Sequence, residues 1–135
     1  LASGAAAGKF SRMVASLGGP RDLLERPDAY LAKAPVVRDV PAPRGGFVSA
    51  IDTRAIGLAV VALGGGRTAP GQAIDPAVGF DRLAPLGTEL RAGDALARVH
   101  AATDEAGEEA VQTVVRAYSL GAAAPTPPPL IERIQ

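Results

Sequence analysis

The chain has 135 residues, enough for one domain or for one domain and part of a second. Apolar residues make up 47% of it and aromatic residues only 4%, so its core must be built from aliphatic side chains and alanine. Basic and acidic residues balance at 14 each without a basic stripe, which argues against nucleic acid or an anionic membrane as a partner. Cysteine is absent, and the single histidine, His100, gives too few nitrogen ligands for zinc, so we expect no metal and no cofactor.

The sequence also bears on location. No apolar run approaches the ~20 residues that a membrane-spanning helix needs. Leu1–Phe10 lacks the basic and apolar regions of a secretion signal, so we expect a soluble, cytoplasmic protein. Because the chain starts at Leu1 rather than Met and its first residues already have a helical pattern, we expect it to be a piece of a longer protein.

The first predicted element is a helix over Ala5–Leu17. Its apolar residues recur at helical spacing and form one face, made of Phe10, Met13, Val14 and Leu17. Gly18–Pro20 ends it in the usual order, glycine first and proline beyond. Short helical turns are predicted around Arg21–Glu25 and Pro27–Ala32.

After Pro35 the pattern changes to one typical of strands joined by turns. Five strands are predicted, at Val36–Val40, Phe47–Ile51, Val78–Phe80, Glu89–Leu90 and Leu96–Ala101. Leu130, Ile131 and Ile134 suggest a further edge strand. Gly93 can take the positive φ that the turn between the last two of the five strands requires.

Two helices are predicted among these strands. One is capped by Asp52 or Thr53 and stops at Gly64–Gly66. The other is capped by Asp104 and ends at Gly121. Its apolar face would consist of Ala110, Val111, Val114, Val115 and Tyr118.

Several short motifs in fixed order carry a family resemblance. They are Leu1–Gly4, Leu17–Pro20, Gly46–Ser49, Asp52–Gly57, Leu63–Arg67, Val78–Phe80, Leu86–Gly87, Gly93–Asp94 and Val99–His100. Each is weak alone, but in this order and spacing the chain resembles, over nearly its whole length, the C-terminal third of thymidine and pyrimidine-nucleoside phosphorylases.

The resemblance implies an activity for the parent protein. That family is a group of pentosyltransferases in pyrimidine nucleoside salvage, and it splits thymidine with inorganic phosphate into thymine and 2-deoxyribose 1-phosphate. It implies a homodimer whose substrates bind in a cleft between a helical and an α/β domain. The residues that bind phosphate and nucleoside would lie upstream of the matched stretch, so none is assigned here. We therefore expect the fragment alone to be inactive and to act as scaffolding in contact with the rest of the parent enzyme.

The resemblance also sets the expected fold, which is α+β. Residues 1–19 would be the last helix of an upstream helical domain and residues 20–34 connecting helical turns. Residues 35–135 would form a C-terminal α/β subdomain, in which a mixed sheet carries packed helices. A barrel-sandwich-like region is expected between about Val78 and Ala101.

The glycine-rich segment offers the best candidate site. Exposed backbone N–H groups and the Arg67 guanidinium could hold an anion. The glycines follow a helix, however, and a helix C-terminus carries partial negative charge, so the residues favour a helix stop and a mobile loop. The resemblance places this loop near the cleft, which makes Gly65, Gly66, Arg67 and Thr68 the candidate cleft-side residues. No catalytic residue is predicted.

Other polar residues have structural explanations. His100 ends a strand and has no evident nucleophile beside it, so we interpret it as structural. Arg54 would lie in the first turn of a helix, where positive charge is unfavourable without a partner. The acidic pairs Asp104–Glu105 and Glu108–Glu109 suit a solvated helix face.

The sequence also bears on two functions from other classes. Leu86–Leu96 is similar to the strand–turn–strand of biotinyl and lipoyl carriers, but no lysine follows Lys33 to accept a prosthetic group. A stand-alone, non-catalytic ligand-binding or assembly module is the open alternative.

Overall fold

The computed structural model describes residues 3–126. The chain divides into two compact units, of which the first ends at Lys33 and the second begins at Ala34. The first unit contains helix α1 (Ala5–Ser16), which confirms the first predicted helix to within one residue. Hydrogen-bonded turns and a short 3₁₀ segment at Pro27–Ala29 follow. Within residues 3–126, no helix is both long and apolar enough to cross a membrane.

The described part of the second unit, residues 34–126, contains six strands and two helices. In chain order they are β1 (Val36–Pro41), β2 (Gly46–Ile51), α2 (Thr53–Val60), β3 (Gly79–Asp81), β4 (Glu89–Leu90), β5 (Ala95–Ala101), α3 (Asp104–Ala117) and β6 (Tyr118–Gly121). The α+β class and the five predicted strands are confirmed. Asp52 accepts a hydrogen bond from the Ala55 amide across 2.9 Å and so caps α2.

The strands form two three-stranded sheets in which every described pair is antiparallel, rather than the one mixed sheet that was expected. The strand orders are β1-β5-β3 and β4-β2-β6. β1 and β2 are successive but do not pair. Pro41 ends β1 and Pro43 lies between the two strands, and neither can donate a ladder hydrogen bond. The predicted barrel-sandwich region is therefore divided between the sheets, and residues 3–126 contain no closed barrel.

The core lies between the sheets and α3. Its largest fully buried side chains are aliphatic, and they are Leu96, Val40, Val48, Val99 and Val114. Leu96 and Ala97 begin the buried part of β5, after which inward and outward positions alternate. α3 packs against β1, β5 and α2, with Val114 inward.

The end of α3 differs from the prediction. The helical spacing predicts Tyr118 on the helix face, but the helix ends at Ala117 and Tyr118 begins β6, opposite Ile51 of β2. Because Tyr118 lies four residues after Val114, its spacing suits an apolar helix face equally well, and only the free edge of β2 distinguishes the two outcomes. Thr103, not Asp104, caps α3, by accepting a hydrogen bond from the Ala106 amide across 3.2 Å. The suggested strand at Leu130, Ile131 and Ile134 lies outside the described residues.

Candidate functional site

The three glycines after α2 turn the chain tightly back on the helix. α2 widens into a π-type turn over Val61–Gly65, in which Gly64 has φ 97°. A Cβ at Gly65 would lie 2.8 Å from Val60 Cγ1, and one at Gly66 would lie 2.7 Å from Val61 Cγ2. Larger side chains would therefore force the turn open, which confirms that these glycines end the helix.

The segment that follows, Arg67–Asp75, is here named the Arg67 loop. Its two arms are joined by hydrogen bonds. Arg67 Nε donates to the carbonyl oxygen of Gln72 across 2.8 Å. The amide nitrogen and the hydroxyl of Thr68 each donate to Gln72 Oε1, both across 2.8 Å. The Asp75 amide donates to the Gly64 carbonyl across 3.0 Å, which closes the base of the loop.

The Arg67 guanidinium is exposed and keeps two nitrogens available. Among residues 3–126, no carboxylate lies within 4.0 Å of it, and its only hydrogen-bond partner is the Gln72 carbonyl, on Nε. A guanidinium can bind an oxyanion through two parallel N–H bonds. The loop thus offers a positive contact for an anion. Its hydroxyl and its carboxylate are both engaged locally, because the Thr68 hydroxyl donates to Gln72 Oε1 and Asp75 Oδ1 accepts from the Ala77 amide.

The base of the loop adjoins the strand that pairs with His100. A Cβ at Gly65 would lie 3.4 Å from the Val78 carbonyl oxygen, and the next residue, Gly79, is opposite His100 across the β3–β5 ladder. His100 Nε2 lies 3.3 Å from Asp81 Oδ1, beside a shallow groove lined by residues 77–80. None of the described residues that line this groove is a serine, threonine or cysteine, so the groove itself supplies no nucleophile for His100.

Of the other charged residues, Arg38 and Arg98 form ion pairs with carboxylates of residues 3–126, whereas Arg54 does not. Arg38 on β1 pairs with Asp104 and with Glu108 of α3, one turn apart, so these carboxylates stay exposed but are partnered. Arg98 Nε donates to Asp39 Oδ1 across 2.8 Å, and this hydrogen bond lowers the pKa of the Asp39 carboxyl. Arg54 is exposed, and no ion pair joins it to any residue of the 3–126 range.

The structure brings together only part of what the sequence singled out. Gly65, Gly66, Arg67 and Thr68 are contiguous and lie at one end of α2. The residue that sequence reasoning missed is Gln72, because a glutamine in a loop without periodicity carries no signal. Within residues 3–126, no group of three potential metal ligands occurs.

Comparison with known proteins adds a second kind of observation. The family model for the pyrimidine nucleoside phosphorylase C-terminal domain matches residues 47–121. A thymidine phosphorylase of Mesorhizobium japonicum is 58% identical over 125 residues, which cover 93% of this chain and 28% of that protein. One from Burkholderia cenocepacia is 52% identical over 134 residues, 99% of this chain and 31% of that protein. One from Colwellia psychrerythraea is 45% identical over 131 residues, 97% of this chain and 30% of that protein. The chain therefore spans less than a third of the length of these curated relatives.

Proposed function

Because this chain belongs to the pyrimidine nucleoside phosphorylase family, as its C-terminal domain, we propose that it is the C-terminal part of a thymidine phosphorylase. The parent protein would transfer the 2-deoxyribosyl group of thymidine to inorganic phosphate and release thymine. The observation that carries this proposal is the identity of 45–58% to thymidine phosphorylases over 93–99% of the chain. A cytoplasmic homodimer acting in nucleoside salvage is part of the same proposal.

Within that enzyme the fragment would serve as scaffolding. Phosphorolysis needs several donors that converge on phosphate and stabilise charge as the glycosidic bond breaks. The Arg67 loop supplies one guanidinium. Within residues 3–126 its side-chain hydrogen bonds involve no second cation and no hydroxyl beyond that of Thr68, which is bonded to Gln72. The donors would therefore come from upstream residues, and Arg67 would contribute from the side of the cleft.

The test compares two proteins prepared in parallel. One is the complete reading frame that contains this chain, and the other is the 135-residue chain alone. Both are incubated with thymidine and phosphate, and thymine release is followed. We expect turnover at roughly 1 per second or faster from the complete protein and none from the chain alone.

Two outcomes would overturn the proposal. Turnover by the 135-residue chain would show that it contains its own phosphate and nucleoside sites. A complete protein that folds but releases no thymine would remove the assigned activity and favour the alternative, a non-catalytic binding or assembly module. Intact mass of the natural gene product decides whether a longer protein is made at all.

A further inference from the structure

The side chain of Gln72 makes a directed contact across the Arg67 loop. Its Oε1 accepts hydrogen bonds from both the amide and the hydroxyl of Thr68, each across 2.8 Å. A backbone amide can only donate, so the carbonyl end of the Gln72 side chain, rather than its NH₂ end, must face Thr68. All the residues between the two are exposed, so packing contributes little to keeping this loop closed.

The main chain of Gln72 makes a third contact, with Arg67. Its carbonyl oxygen accepts from Arg67 Nε across 2.8 Å, so the two residues that enter the loop are both bonded to Gln72. Nε is thus occupied, whereas the two terminal nitrogens of the guanidinium make no hydrogen bond or ion pair within residues 3–126. Two such terminal nitrogens can bind one oxyanion through parallel hydrogen bonds. The bond at Nε would fix the guanidinium before the ligand arrives.

We propose that Gln72 is a positioning residue, which closes the Arg67 loop so that the terminal nitrogens of Arg67 are held ready for a phosphate oxyanion. The inference rests on the proposed function, since the phosphate would be that of the phosphorolysis reaction. Inorganic phosphate and 2-deoxyribose 1-phosphate carry the same oxyanion, and either could be the group that Arg67 meets. Gln72 itself touches neither substrate.

The first arm of the test examines loop closure in the 135-residue chain and needs no enzymatic activity. Amide hydrogen exchange at Thr68 should be slowed about tenfold relative to an unstructured peptide, because its N–H is hydrogen-bonded. Gln72→Ala should remove that protection, whereas Gln72→Glu, which keeps an acceptor oxygen, should retain it. Gln112→Ala, on the exposed face of α3, is the matched control. Equal exchange at Thr68 in the unmodified chain and in all three variants would overturn the proposal that Gln72 closes the loop.

The second arm measures kinetics in the complete protein. Gln72→Ala should raise the KM for inorganic phosphate about 5- to 10-fold, the effect of one lost hydrogen bond, with kcat changed less than about twofold. The KM for thymidine should stay the same. In the reverse reaction the KM for 2-deoxyribose 1-phosphate shows whether the sugar phosphate is the partner instead, and Gln112→Ala again serves as control.

The outcomes separate the two proposals. If the complete protein is inactive while Gln72→Ala still speeds hydrogen exchange of the Thr68 amide, the proposed function fails and the role of Gln72 in closing the loop stands. If the protein is active but neither phosphate KM rises, or only the thymidine KM rises, the positioning role of Gln72 is overturned and the proposed function stands.

Discussion

The phenolic hydroxyl of Tyr118 donates a hydrogen bond to the Ala84 carbonyl oxygen across 3.1 Å, which ties β6 to the segment between β3 and β4. Both residues are buried, at 7% exposure each. Tyr118→Phe would leave that carbonyl buried without this donor. We expect a loss of about 1 kcal/mol in the free energy of unfolding, measured by urea titration with an unchanged m value.

The contribution of Tyr118 to stability should depend on pH, because burial raises the pKa of its hydroxyl above the usual value. A raised pKa means that the folded state holds the proton more tightly than the unfolded state does. Its contribution to stability is therefore full below about pH 10 and is lost as pH rises through the folded value. Tyr118→Phe should lack this alkaline loss, and an identical alkaline decline in both proteins would assign it to other groups.

Tyr118 shows which parts of the fold a local sequence pattern can predict and which it cannot. Elements with local signals were predictable: the strand at Phe47–Ile51, the Asp52 cap and the glycine stop after α2. The end of α3 was not, because helical spacing continues through Tyr118 and only the distant strand β2 makes it a strand residue. The division into two sheets likewise depends on which strand edges meet, which no local pattern encodes.

In the candidate site too, local patterns identify some residues, whereas others depend on how the chain folds. Gly65, Gly66, Arg67 and Thr68 could be singled out because glycines after a helix and an adjacent arginine form a local pattern. Gln72 could not, because its role depends on how the loop folds back onto Thr68. His100 was recognisable only as a strand residue, and its partner Asp81 lies on a neighbouring strand 19 positions earlier in the chain.

The Asp39–Arg98 pair predicts an acid-sensitive contribution to stability. The hydrogen bond from Arg98 lowers the pKa of Asp39, so the carboxylate form is favoured in the folded state. A lowered pKa gives stability that is present above the unfolded value, near pH 4, and lost as pH falls through the folded value. Asp39→Asn should therefore be less stable than the parent chain at pH 7, and the difference should shrink at about pH 3. Urea unfolding at both pH values measures this, and a gap independent of pH would contradict it.

Substitution of two glycines of the second unit by alanine should change the stability of the fold in opposite directions. Gly46 has φ 146°, and a Cβ there would lie 2.7 Å from the Gly121 carbonyl oxygen. Gly46→Ala should cost about 1–3 kcal/mol from backbone strain, with the close contact adding to it. Gly57 lies inside α2 with nothing within 4 Å of its would-be Cβ, so Gly57→Ala should stabilise by about 0.5–1 kcal/mol. Thermal unfolding of both variants checks the pair, and shifts of the same sign would contradict it.

The backbone amides of helix α1 should be weakly protected from hydrogen exchange in the 135-residue chain. None of its residues is buried, and its apolar side chains Phe10 and Met13 are 44% and 53% exposed. α2 contains buried Ala59 and packs against α3. Amide exchange should therefore be faster throughout α1 than in α2, and equal protection in a chain shown to be monomeric would refute this.

The last prediction concerns Arg67 in the complete protein. If its guanidinium meets an oxyanion, Arg67→Ala removes a charged hydrogen bond worth ~1.5–3 kcal/mol, which corresponds to a loss of about 10- to 100-fold in kcat/KM for phosphate. The chemical step should remain measurable, because the donors that stabilise the transition state would lie upstream. Arg67→Lys keeps the charge without the planar pair of N–H groups and should recover only part of the loss. Arg91→Ala, an exposed arginine in the turn before β5, is the matched control and should leave the kinetics unchanged. Unaltered kinetic constants in Arg67→Ala would mean that the loop acts only as a helix stop and a connection to β3.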